Sequence, residues 1–165
     1  MNKMQHKDYN YKPIEEWKWR SYDGKSVVSI SEFIEEHRGD MFFIGTDSKN
    51  YSKRHICVFI TALIAYKFHH GGSIIMHRDK VPFMNHLRQR LLMEAMRSLE
   101  TAWFVDGKIS DKSFIGVHLD VNPSLKFQSG QYKEELVGLI ISQGFTNCTI
   151  KPNAFAATFA ADKKC

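Results

Sequence analysis

The alternation of apolar and polar positions divides the first half of the chain into three strands. Residues 41–48 form an apolar run that ends in a glycine, a threonine and the carboxylate of Asp47, which predicts a buried strand with an acid at its exit. Residues 55–68 and 73–76 are two further β-rich runs, separated by two histidines and two glycines, which predicts a hairpin. We therefore expect three consecutive antiparallel strands.

After the hairpin, the hydrophobic period changes to that of a helix. Apolar residues recur at threes and fours from Leu87 to Ala102, which predicts a long crossover helix. Glu94 lies on or beside this apolar stripe, so its carboxylate either finds a cation or is costly to bury. An ion pair with Arg90 or Arg97 at the edge of the stripe explains Glu94 equally well.

The last third of the chain repeats the order of strand and helix twice. A strand that follows a strand and a crossover helix lies parallel to it in the same sheet. The predicted elements are a strand over 113–121, a helix over 131–142, a strand over 146–151 and a final helix over 154–161. The chain is thus predicted to be an α/β domain in which three antiparallel strands and then two parallel strands form a five-stranded mixed sheet, flanked by helices.

Two carboxylates are predicted to meet at one edge of this sheet. Asp120 stands at the carboxyl end of its strand, as Asp47 does on the first strand. If the two strands are neighbours, both acids emerge at the edge where α/β sheets bind their ligands. A turn cap is the simpler explanation of Asp47 taken alone. His118 shares the face of Asp120 by the period of two, and a buried histidine bonded to the backbone is the competing explanation for it.

Length, charge and cysteine content limit the number of domains, the cellular compartment and the kind of partner that we expect. A chain of 165 residues suits one domain that needs no disulfide, and its three scattered cysteines favour a reducing cytoplasm. The sequence shows neither a signal segment nor a stretch that spans a bilayer, so we expect an unexported protein without a membrane partner. The net charge of +5 favours a polyanionic partner. Residues 1–25 are expected to form an N-terminal arm and residues 26–165 the domain.

The order of elements and acids resembles the ribonuclease H-like fold. That superfamily carries an acid on its first strand, a glutamate on its first crossover helix, an aspartate at the end of its fourth strand and an acid in its last helix. The residues at those positions are, in order, Asp47, Glu94, Asp120 and Asp162. The segments that resemble, more narrowly, the bacterial YkuK-like family are Ile44-Gly45-Thr46-Asp47-Ser48, Arg90-Leu91-Leu92-Met93-Glu94, His118-Leu119-Asp120-Val121-Asn122 and Ala160-Ala161-Asp162.

The resemblance implies a nuclease that depends on divalent metal. Two Mg²⁺ or Mn²⁺ ions about 3.5–4 Å apart can activate a water and stabilise the departing oxyanion during phosphodiester hydrolysis. These hard cations prefer oxygen ligands, which explains a site made of carboxylates. Asp47 would bridge both ions, Glu94 and Asp120 would share one, and Asp162 would hold the other.

The implied substrate is DNA, RNA or a hybrid of the two. A solvated surface charge is the competing explanation for each cation that would contact the phosphates. The candidate substrate contacts are Ser48, Lys49, Arg54, Arg88, His118 and Lys151. A second hypothesis is a module on the same fold that binds nucleic acid or protein and does no chemistry. The oligomeric state is left open by the sequence.

Overall fold

A seven-stranded mixed sheet is the centre of the structure, a computed structural model that describes residues 12–162, without the side chains of residues 161 and 162. The first eleven residues of the expected N-terminal arm lie outside the described residues. The strands are β1 (Trp19–Ser21), β2 (Val27–Val28), β3 (Met41–Tyr51), β4 (Ile56–Lys67), β5 (Gly71–Pro82), β6 (Ile115–Leu119) and β7 (Cys148–Ile150). The helices are α1 (Ile30–Glu36), α2 (Leu87–Ile109), α3 (Lys133–Ser142) and α4 (Phe155–Asp162).

The five strands expected from the sequence are confirmed in their directions. β3 pairs antiparallel with β4, and β4 pairs antiparallel with β5. β6 lies parallel beside β3, and β7 lies parallel beside β6. The spatial order β5-β4-β3-β6-β7 therefore places β3 at the centre, between an antiparallel and a parallel neighbour.

The expected strand count of five is wrong, because two short strands extend the sheet at its β5 edge. β1 pairs antiparallel with β5, with Trp19 opposite His77, and β2 pairs with β1. Two or three residues are too few to leave a period in the sequence, which is why these strands were not expected. They cover an edge of β5 that would otherwise expose unpaired backbone groups. The division into an arm over residues 1–25 and a domain over 26–165 stays a prediction.

Helices cover both faces of the sheet. The helices α1, α2 and α3 share one hydrophobic cluster with the strands, in which Phe42, Ile44, Leu99 and Ile140 are fully buried. α4 packs on the opposite face against β3, β4 and β6. Because both faces are covered, β4 is apolar on both, and its alternation is invisible in the sequence. Among the described residues, no helix is both long and apolar enough to cross a membrane.

Gly45 allows α4 to approach the centre of β3. A Cβ atom at this position would lie 2.3 Å from the backbone nitrogen of Ala157 and 2.6 Å from the carbonyl carbon of Ala156. Both contacts are to backbone atoms, so no side chain can rotate away to relieve them. Glycine at position 45 therefore fixes how closely the last helix lies against the strand that carries Asp47.

We predict that Gly45→Ala lowers the free energy of unfolding by about 1–3 kcal/mol, because the added methyl group overpacks the contact between β3 and α4. Gly138→Ala is the matched control, since the same methyl group meets nothing within 4 Å on the exposed side of α3. The control should gain up to about 1 kcal/mol from helix propensity. Urea denaturation of both variants measures the difference, and an unchanged midpoint for Gly45→Ala would contradict the packing described here.

Candidate functional site

Two side-chain hydrogen bonds fix α2 across the second half of β3, which continues to Tyr51, so the expected strand exit at Asp47 is wrong. The hydroxyls of Thr46 and Ser98 lie 2.8 Å apart, and Ser48 Oγ donates to Glu94 Oε1 at 2.5 Å. Residues two apart on a strand are separated by about 6.7 Å, and residues four apart on a helix by about 6 Å along the axis. The two spacings match, so α2 runs antiparallel to β3 with Glu94 beside Ser48.

Glu94 is a buried carboxylate, with 6% of its surface exposed. Burial raises its pKa well above the usual 4.5, and the negative charges of Asp47 and Asp120 raise it further. The hydrogen bond from Ser48 and the nearby Arg90 act in the opposite direction. Within residues 12–162, no lysine or arginine forms an ion pair with Glu94. The pairing with Arg90 or Arg97 that the sequence allowed is therefore not seen.

Asp47 lies on the other face of β3. It alternates with Thr46 and Ser48, which face α2, and it follows Gly45, which faces α4. Its partner across the hairpin is Ile60, which belongs to the hydrophobic cluster against α4. Asp47 and Glu94 therefore approach the same end of the sheet from opposite faces.

α4 ends close to this region of the sheet. Ala157 lies against Gly45, and one turn later Ala160 packs in the same cluster as Val58 and Ile60. These two residues of β4 pair with Lys49 and Asp47, so α4 runs toward the carboxyl end of β3. The helix ends at Asp162, whose side chain lies outside the described residues. The backbone thus brings the fourth expected acid to the same end of the sheet.

Asp120 leaves the end of β6 beside Lys151. Leu119 pairs with Ile150, so the next residue of each strand emerges at the same level, and the backbone nitrogen of Lys151 donates to Val121 at 3.2 Å. Lys151 Nζ forms an ion pair with Asp120 Oδ1. The negative charge of Asp120 is therefore already paired with the positive charge of a lysine of the same chain.

The three described acids share one electrostatic environment without forming a compact donor cluster. Asp47 and Asp120 both contribute to the raised pKa of Glu94. Among the described side chains, which exclude that of Asp162, no three Asp, Glu, His or Cys residues lie close enough together to hold a metal ion. The oxygen donors present nevertheless suit a hard divalent cation, because such an ion would relieve both the burial of Glu94 and the repulsion from its neighbours.

His118 points toward α4, on the face of the sheet that also carries Asp47. Its side chain is 2% exposed, and its Nδ1 accepts a hydrogen bond from the backbone nitrogen of Ala156 at 3.1 Å. Burial lowers its pKa to about 4, so the ring is neutral at pH 7. The rings of Phe43 and Phe155 enclose it. This placement argues against contact with substrate and agrees with the buried, backbone-bonded histidine that the sequence also allowed.

The other expected substrate contacts differ in how free they are to bind phosphate. Lys49 and Arg54 both lie near the ring of Tyr51, where β3 turns into β4, and both are exposed. Arg88 forms an exposed ion pair with Glu135 at the start of α3. Lys49 and Arg54 are therefore better placed than Arg88 to meet a polyanion at the carboxyl end of β3.

The two arginines of α2 that the sequence offered as partners for Glu94 have other surroundings. Arg97 is buried, lies over the ring of Phe59 and pairs with Asp79. Arg90 was considered only as a partner for Glu94, yet its Nε is buried without a hydrogen-bond partner next to that carboxylate. The four-residue spacing of Arg90 and Glu94 was the signal for their proximity, but it could not give the orientation of the guanidinium.

We predict that Glu94→Gln stabilises the metal-free protein at neutral pH. The pKa of Glu94 is raised in the folded protein above the 4.5 of the unfolded chain, so the folded state holds a proton that the unfolded state has lost. The contribution of Glu94 to stability is therefore fully present below about pH 4.5 and is lost as pH rises through its folded-state pKa. Glutamine removes this fall and keeps an acceptor for Ser48.

Thermal denaturation in EDTA from about pH 4.5 to pH 8 measures this effect. The melting temperature of Glu94→Gln should exceed that of the unmodified protein near pH 7.5, and the two should converge at the acid end. Glu36→Gln, which removes the same charge from an exposed position, should show no such divergence. A variant less stable than the unmodified protein at every pH would contradict the cost of burying this charge.

Comparison with known proteins agrees with the fold. The family model described as ribonuclease H-like matches residues 26–165. No significant match was found among curated proteins or among solved structures. The matched range includes the strand of Asp47, the helix of Glu94, the strand of Asp120 and the final helix. The chain therefore belongs to the ribonuclease H-like family.

Proposed function

We propose that this protein is a nuclease that hydrolyses the phosphodiester bonds of nucleic acid with Mg²⁺ or Mn²⁺. The observation that carries the proposal is the burial of Glu94 beside the second half of the central strand, with two further acids nearby. A buried carboxylate without an ion pair destabilises a fold unless something binds it. A divalent cation is the partner that three acids at one sheet edge would favour.

The residues that would hold the metal are Asp47, Glu94, Asp120 and Asp162. When bound, two such ions activate a water and stabilise the departing oxyanion. Ser48 orients Glu94 through its hydrogen bond, and the pair Thr46 and Ser98 keeps the helix in register beneath it. Lys49 and Arg54 would bind the phosphates on either side of the cleaved bond.

Three finer assignments are part of the same proposal. Within the ribonuclease H-like family, the segments around Asp47, Glu94 and Asp120 support membership of the YkuK-like bacterial group. The scattered cysteines support a cytoplasmic protein. The two that lie among the described residues, Cys57 and Cys148, are free thiols, and Cys57 is buried. DNA, RNA and hybrid substrates all fit a site built on phosphate contacts and metal.

We predict that Asp47→Asn lowers metal-dependent cleavage by about 100-fold or more, because several kcal/mol of transition-state stabilisation depend on the bound ions. The fold should persist, since asparagine is nearly isosteric with aspartate. A fluorescently labelled oligonucleotide in Mn²⁺ measures cleavage, and circular dichroism measures folding. Asp40→Asn is the control, because it makes the same substitution just before β3, about 23 Å along the strand. Equal cleavage by the two variants would refute the assignment.

A non-catalytic module that binds nucleic acid or protein is the second candidate. It is favoured by the Lys151 pair at Asp120 and by the absence of a three-donor group among the described side chains. Calorimetric titration with Mn²⁺ distinguishes the two functions. The nuclease predicts binding of two ions that Asp47→Asn weakens, whereas the module predicts at most one weak event that Asp47→Asn leaves unchanged.

A further inference from the structure

We infer that Lys151 is a displaceable internal cation, which neutralises Asp120 until a divalent metal replaces it and then binds a phosphate of the nucleic acid. This inference rests on the proposed function for the identity of the metal and of the polyanion. It assigns Lys151 a role in controlling metal affinity, in addition to contact with substrate.

The contact itself is the first observation. Lys151 Nζ pairs with Asp120 Oδ1, and Asp120 is 17% exposed. The pair arises from the sheet, since Leu119 and Ile150 are in register one residue earlier and the Lys151 backbone is bonded to Val121. The register of β6 and β7 therefore places Lys151 beside Asp120, within reach of its carboxylate.

An ammonium and a divalent ion cannot share this carboxylate at no cost. Both are cations, and two cations within a few ångströms repel each other, most strongly where solvent is partly excluded. A metal that binds Asp120 must therefore first displace Lys151. The pair weakens metal binding in the free protein, while it keeps Asp120 from adding its full charge to the repulsion around Glu94.

Once displaced from Asp120, the side chain of Lys151 can rotate and can bind another anion. Lys151 is 45% exposed, and its four-carbon stem can rotate while its backbone stays bonded to Val121. A phosphate brought to the metal at the same edge offers the ammonium a new anionic partner. Metal and nucleic acid would consequently bind with positive coupling, because each favours the displaced position of Lys151.

The chain contains a matched control for this pair. Lys112 Nζ pairs with Asp106 Oδ2 at 2.7 Å, with 41% of the lysine and 22% of the aspartate side chain exposed. This second pair joins the end of α2 to the turn before β6, away from the acids around Glu94. Lys112→Met therefore removes an ion pair of nearly the same exposure without touching the proposed site.

Calorimetry with Mn²⁺ alone tests the inference. Lys151→Met should bind Mn²⁺ about 3- to 5-fold more tightly, the upper part of the gain expected from removing a partly exposed ion pair that competes for the site. Lys112→Met should bind within twofold of the unmodified protein, and Lys151→Arg should bind no more tightly than it. Mn²⁺ binding by Lys151→Met that equals or is weaker than that of the unmodified protein would overturn the inference.

Binding of a labelled single-stranded oligonucleotide gives the second readout. With Ca²⁺ as a metal that supports binding, Lys151→Met should bind the oligonucleotide about 3- to 10-fold more weakly, whereas in EDTA it should match the unmodified protein. Equal losses in both conditions would overturn the displacement and leave an ordinary phosphate contact.

The outcomes also separate this inference from the proposed function. Unmodified protein that binds Mn²⁺ but cleaves nothing refutes the nuclease and leaves the role of Lys151 standing. If Lys151→Met binds Mn²⁺ and the unmodified protein does not, the inference is supported, but Mn²⁺ is not a cofactor of the unmodified protein. Binding by neither protein overturns both.

Discussion

The hydrogen bond from Ser48 to Glu94 joins the central strand to the long crossover helix at the point where the acids gather. It holds a carboxylate in a buried position that a protein core alone would not favour, because burial and two neighbouring acids all oppose its charge. The second contact, between Thr46 and Ser98, keeps the same register one turn further along the helix. The position of Glu94 is thus set by the fit between the strand repeat and the helix repeat.

The acids reach this point from different layers of the fold. Glu94 comes from the face covered by α2, Asp47 from the face covered by α4, and Asp120 from the end of the neighbouring parallel strand. Gly45 brings α4 close enough to β3 for its last turn to end in the same region. A site assembled in this way requires helices on both faces of the sheet. The nearly continuous apolar run of β4 has the same cause, because a strand covered on both faces is apolar on both.

Hydrophobic period predicted the long elements, and the hairpin and crossover rules predicted their directions. The ends of the strands were less well predicted, because β3 continues to Tyr51, beyond the expected exit at Asp47, and β6 ends at Leu119. The stripe of α2 placed Glu94 on or beside the side that is buried. Short elements left no period, so β1 and β2 were missed. Side-chain partners on other elements also escaped prediction, because period gives the face on which a residue lies and not the residue that it meets there. Lys151 beside Asp120 and Arg97 beside Asp79 are contacts of this kind.

A crystal structure of the protein with Mn²⁺, with the metal located by its anomalous scattering, tests the metal site directly. Two Mn²⁺ peaks about 3.5–4 Å apart are expected beside the second half of β3 and the end of β6, with Asp47, Glu94 and Asp120 among the ligands. Crystals grown with saturating Mn²⁺ that show no peak at these carboxylates, with Lys151 still paired to Asp120, would contradict the proposed metal site.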